Sequence, residues 1–137
     1  MRSLKTIALL IALLGAVPAQ AQRIGTTYTY SGLTWSVSTN VAGMEYCTRL
    51  FLDATGDIYN SDHFATYGQL YCPALGGGYA SAGSAYFDSA DGFHMTVSLG
   101  ITYKLVCDYL SGATLSGSCP VYNHLGAQVG TAFVSFL

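Results

Sequence analysis

A chain of 137 residues that is 51% hydrophobic and 9% charged can bury a core and does not have the composition of a disordered segment. Its formal net charge is −2, and beyond the first 21 residues the cations are Arg23, Arg49 and Lys104 against seven carboxylates. Three scattered cations cannot neutralise a phosphate backbone, so no nucleic-acid partner is expected.

Residues 1–21 read as a secretory signal peptide. Arg2 and Lys5 form the positive start, residues 7–17 the apolar run, and Pro18-Ala19-Gln20-Ala21 a small-residue cleavage site before Gln22. The apolar run is too short to span a bilayer. The expected product is one domain, residues 22–137, secreted or periplasmic. Four cysteines, Cys47, Cys72, Cys107 and Cys119, then lie in an oxidising compartment. Their even number predicts two disulfides, with three connectivities open. No pair has the short spacing of a zinc site.

The mature start is expected to be short and frayed. Residues 27–38 then read as a strand whose parity switches at Ser31-Gly32, which predicts a bulge or tight turn. Residues 46–53 carry apolar groups on both faces, as a central strand does. Residues 54–62, ATGDIYNSD, are predicted to be the longest polar loop. That loop has oxygen-bearing side chains at alternate positions, like a calcium loop. Ile58 stands where such a loop needs glycine, and Phe64 where it needs the final acid, so a polar turn is the preferred reading and no metal is assigned. Residues 64–72 return as a strand, Gly76-Gly77-Gly78 is read as a connector, and residues 79–87 present small side chains that would let a neighbouring layer approach closely.

The strongest pattern is residues 93–109. Its odd positions form an unbroken apolar row from Phe93 to Tyr109, and its even positions are polar or small apart from Val106. Such period-two alternation is a half-buried strand. The row keeps its phase through Gly100, which a two-residue hairpin turn would not allow. One long strand bent at Gly100 is therefore expected. Reversals are expected at Asp91-Gly92 and Ser111-Gly112, and strands over 114–119 and 128–137. The fold class is all-β: a small antiparallel sandwich or barrel of about eight strands with two disulfides.

Cys72-Pro73, nine residues and Gly83-Ser84-Ala85-Tyr86 echo Cys119-Pro120, nine residues and Gly130-Thr131-Ala132-Phe133. A duplicated strand–loop–strand unit would give each half its own bridge, Cys47–Cys72 and Cys107–Cys119; coincidence explains the echo about as well, because Gly, Ala and Ser are common here.

Catalytic signatures are lacking. His63, His94 and His124 are not spaced as ligands and are read as solvated surface residues. No serine sits in a Gly-x-Ser-x-Gly elbow. Carboxylates such as Glu45, Asp53, Asp57 and Asp108 could converge in space, as in any chain with this many. The chain is also aromatic-rich, with 11 tyrosines and one tryptophan, too many to be wholly buried with their polar atoms paired. The expected function is non-catalytic binding of an envelope or extracellular protein or glycan, inhibitor-like scaffolds included. Trp35, Tyr59 and Tyr122 are the candidate contacts, and no cofactor is expected. The alternatives are a small secreted hydrolase with a loop-assembled site and an outer-membrane barrel. The barrel fits poorly, because its strands would need a clear lipid face and girdles, so membrane association is not expected.

Overall fold

The computed structural model describes residues 21–57, 59–73 and 77–137. The leader expected before Gln22 lies outside them except for Ala21, as does Gly76 of the glycine connector. Nine strands follow in chain order: β1 (Ala21–Ile24), β2 (Thr27–Thr39), β3 (Arg49–Asp57), β4 (Asn60–Cys72), β5 (Gly77–Phe87), β6 (Gly92–Leu99), β7 (Tyr103–Ser111), β8 (Gly117–Asn123) and β9 (Gln128–Phe136). Each pairs antiparallel with the next, and β9 returns to β2. Strands β2 to β9 therefore close into an eight-stranded antiparallel barrel. β2 is shared along its length: Thr27–Tyr30 pair with β1 and Trp35–Thr39 pair with β9.

The alternation read from the sequence sets which way each side chain points. Leu50, Leu52 and Ala54 of β3, Phe93, Met95, Val97 and Leu99 of β6, and Cys119 and Val121 of β8 face inward and are buried. Outward positions on the same strands are mostly polar, such as Asp53, Thr96 and Ser98. Both barrel ends are plugged. At one end the 40–48 connection tucks Val41 and Met44 into the core through turns in which Met44 donates to the Val41 carbonyl and Cys47 to that of Met44. At the other end Leu115, in the 112–116 connection, is buried over the lumen.

Two bridges join Cys47 to Cys72 and Cys107 to Cys119, the pairing that a duplicated unit would allow, and they fit an oxidising environment. The second links facing residues of β7 and β8, with Cα atoms 4.8 Å apart, the spacing of a non-hydrogen-bonded antiparallel pair. The β7–β8 ladder covers only Tyr103–Leu105 against Val121–Asn123, so the bridge holds these strands together where the ladder has ended. The duplication itself is not mirrored in the fold. Cys119 lies opposite Ala132 within β8–β9, whereas Cys72 lies opposite Gly77 at the end of β4–β5. The echoed residues occupy different registers.

Several expectations are corrected. Residues 93–109 are two strands, not one, joined by a three-residue turn with Leu99 opposite Tyr103. An odd number of turn residues preserves parity, so the apolar row runs through the reversal unbroken. Gly100 takes φ +70° there, and its N–H donates to the Ala80 carbonyl at 2.7 Å. The polar segment 54–62 is mostly ladder: β3 runs to Asp57 and β4 begins at Asn60. Residues 21–24 are not frayed but paired to β2. The strand expected over 114–119 lies at 117–123. The parity switch in β2 is a bulge between Tyr30 and Leu33, where Gly32 takes φ +76° and donates its N–H to Asp53 Oδ1 at 2.9 Å.

Candidate binding face on the outer wall

Strand β5 turns Ser81, Ala85 and Phe87 inward and leaves Ala80, Ala82 and Ser84 exposed on the outer wall. No layer of the described chain covers these small side chains, contrary to the expectation of a close neighbouring layer, and they form a recessed strip facing solvent. On one side the register sets Tyr67 opposite Ala82 and Gln69 opposite Ala80. Tyr67 is 55% and Tyr71 40% exposed, and Tyr71 meets Phe51 edge-on at 6.4 Å.

On the other side the regular β5–β6 ladder ends before the strands do. Their ladder runs from Phe87 opposite Phe93 to Gly83 opposite Val97. Beyond it the Ala82 N–H is accepted by Ser98 Oγ at 3.1 Å, a hydroxyl standing where a carbonyl would continue the ladder. A groove of about 660 Å³ lies on the wall here, within the range of about 300–1,000 Å³ common for small-ligand sites. Ala82, Ser84, Thr96 and Ser98 form its floor. Tyr103, Lys104, Tyr122 and His124 wall it, with Lys104 opposite Tyr122 in the register. No carboxylate lines it among the described residues. The groove thus offers aromatic faces, hydroxyl groups and a cationic side.

A second cluster lies on the same outer wall, nearer the 112–116 end. His94 is 7% exposed, not solvated as the sequence suggested. Its Nε2 lies 2.8 Å from Asp88 Oδ2 and its Nδ1 3.4 Å from Asp108 Oδ1. The ring stacks on Tyr86 at 4.4 Å with a 2° interplanar angle, and His63 stacks on the far face of the same tyrosine at 5.1 Å. Tyr109 closes over His94 edge-on at 5.1 Å. A bulge produces this arrangement: the register shifts between Phe93 and Met95, and Tyr109 takes φ +62°. Asp88 is held by more than the imidazole, since its Oδ1 accepts the N–H groups of Ala90 and Gly92 at 2.9 and 2.8 Å. The His94 hydrogen bond and the Gly92 N–H together hold the Asp88 carboxyl below the usual carboxylate range.

The predicted contact residues divide. Tyr122 lines the groove. Tyr59 is 84% exposed at the β3–β4 turn and does not line the groove. Trp35 is 1% exposed and therefore offers no surface. Its ring packs edge-on to Phe136 at 5.1 Å, and its indole N–H donates to the Leu115 carbonyl at 2.8 Å. Of the carboxylates weighed for hydrolysis, Asp108 joins the histidine cluster, whereas Asp53 accepts from Gly32, Asp57 from Tyr59 and Glu45 from Gly43. The would-be calcium oxygens of Asp53 and Asp57 are thus turned to backbone N–H groups. The sequence gives no sign of Asp88 and Tyr86 as partners of His94, because only the cross-strand register brings them there.

Protein-family models, curated proteins and solved structures were compared with the chain, and none matches.

Proposed function

We propose that this chain is a non-catalytic binding protein, exported by residues 1–21 to an extracellular or periplasmic space, and that it holds a glycan in the outer groove. The observation that carries this reading is the exposed Ala80, Ala82 and Ser84 strip, recessed between Tyr67 and Tyr71 on one side and Lys104 and Tyr122 on the other. A sugar ring presents an apolar face and a rim of hydroxyls. Tyrosine rings suit the face, while Ser84, Thr96, Ser98 and Asn123 suit the rim. Lys104 and His124 favour an acidic sugar.

Two observations weigh against the alternatives. Both ring nitrogens of His94 face carboxylates, which leaves it no free nitrogen to activate a nucleophile. The wall is polar outside and apolar inside, the reverse of a barrel that faces lipid. A protein partner is favoured by the rings of Phe51, Tyr67 and Tyr71 on the β3–β4 flank of the strip, because clustered exposed aromatics mark interfaces.

The discriminating experiment is a glycan array with the disulfide-bonded protein, comparing the natural sequence with Ala82→Tyr and Tyr122→Ala. Both positions lie on the outer wall, so thermal melts are expected to change by no more than a few degrees. Ala82→Tyr is expected to abolish glycan capture and Tyr122→Ala to weaken it about tenfold, the loss of one stacking contact. Capture unchanged by either substitution would remove the groove from the account.

A further inference from the structure

The barrel interior holds a cavity of about 50 Å³ near the 112–116 end, separate from the outer groove. Its lining is almost wholly apolar. Three of the residues around it carry a polar side-chain atom. The Trp35 N–H is used by the Leu115 carbonyl. Tyr30 sets its ring edge-on to Phe64 at 5.9 Å, and burial raises the pKa of its hydroxyl. Thr66 is different: it is 5% exposed, and its Oγ1 is buried with no hydrogen-bond partner. A buried hydroxyl without a partner is costly and rare enough to require an explanation.

The cover of the cavity is also unusual. Leu115 takes φ +54°, a conformation that non-glycine residues seldom adopt. It is held there by two hydrogen bonds, from its own N–H to the Ser111 carbonyl at 2.7 Å and from Trp35 to its carbonyl at 2.8 Å. Strained residues of this kind concentrate at ligand clamps and switches. Half-buried Leu33 and Phe136 complete the rim. Eight strands give an interior just wide enough either to be filled or to hold one small molecule, and here the filling stops short at the unpaired Thr66 hydroxyl, the polar atom without a partner among the cavity's lining residues.

We propose that this cavity binds a small aliphatic molecule carrying one hydroxyl or carbonyl group, whose polar atom pairs with Thr66 Oγ1 and whose carbons lie against Trp35 beneath Leu115. The size sets the class. An apolar cavity of roughly 150 Å³ accommodates benzene, so about a third of that admits two or three carbons. Alcohols of two or three carbons fit, and sugars do not.

Trp35 is the single tryptophan of the chain and lies on the cavity wall, so its emission reports occupancy directly. The probe is 1-propanol titrated into the disulfide-bonded protein, with cyclopropane as the apolar control. The emission is expected to change saturably, with a half-point of a few millimolar, in keeping with the small free energy available to a ligand of four heavy atoms. Thr66→Val keeps the shape and removes the hydroxyl. It is expected to weaken 1-propanol about tenfold and leave cyclopropane unchanged. Ala85→Val narrows the cavity and is expected to remove both responses; if that variant does not fold, Ala54→Val, also in the lining, serves instead. A linear, non-saturating response would overturn the proposal. Equal 1-propanol binding by Thr66→Val, or a resident water on Thr66 that alcohol does not displace, would do so as well. Because the outer groove lies elsewhere, glycan capture is expected to be indifferent to Thr66→Val, so the two proposals fail separately.

Discussion

His94 shows how far a single residue's setting depends on its neighbours. The alternation of β6 places it correctly on the outer side, yet it is buried because Tyr86 and Tyr109 lie on its ring and Asp88 reaches it from the β5–β6 turn. Nothing local in the sequence marks this. His63, Tyr86 and His94 form a row only once β4, β5 and β6 are in register, and Tyr109 joins through a bulge. Trp35 is the converse case. A lone tryptophan in a tyrosine-rich chain suggests surface recognition, whereas its size fills the lumen and its N–H finds a carbonyl there. The Asp88 carboxyl, depressed by the His94 contact and by backbone N–H groups, favours folding above the ordinary carboxylate value near 3.9. That contribution is lost as pH falls through the lowered value. Asp88→Asn is therefore expected to melt below the natural protein at pH 7, with the gap narrowing below about pH 4. Thermal melts from pH 2 to 7 check this. A gap of constant size would mean that Asp88 acts through turn geometry alone, with His94 and Asp108 making no electrostatic difference.

Individual strands are largely legible in the sequence, because period-two alternation follows directly from the pleat and the inward rows are apolar. What alternation does not contain is the reversal between β6 and β7, since a three-residue turn leaves parity untouched. The strand bends are less visible still. Gly68 of β4 and Gly83 of β5 share the parity of their strands' inward-facing residues, and a Cβ there would lie 1.8 Å from the Phe51 carbonyl oxygen and 1.9 Å from that of Thr96. The strands approach so closely at these points that only glycine fits, and such kinks let a sheet curl into a barrel. Gly77 at the start of β5 is the contrast, since a Cβ added to it would meet no atom within 4 Å. Gly68→Ala is expected to destabilise the fold by about 3 kcal/mol through overpacking, with Gly77→Ala within about 0.5 kcal/mol of the natural protein. Urea unfolding at neutral pH measures both, and equal effects would show that the barrel does not depend on the close approach at Gly68.

For the whole molecule, an all-β fold stapled by two bridges follows from composition, strand alternation and an even cysteine count, whereas the choice between sandwich and barrel does not. Closure depends on the stagger of all eight strands together, and no segment carries that information. The bridges span sequence separations of 25 and 12 residues, so each is expected to contribute about 3 kcal/mol by restricting the unfolded chain. Replacing either cysteine pair with alanine should lower unfolding stability by that order. A Cys107→Ala/Cys119→Ala variant as stable as the natural protein would mean that the short β7–β8 ladder suffices alone. The divided pairing of β2 also sets an order of events. Its second half meets β9, so during synthesis Trp35–Thr39 emerge about a hundred residues before their partners. An unpaired strand segment is a template for wrong association. β1, only two residues upstream, can cover the first half of β2 immediately, which leaves a stub of five residues, rich in Ser and Thr, to wait for the last strand.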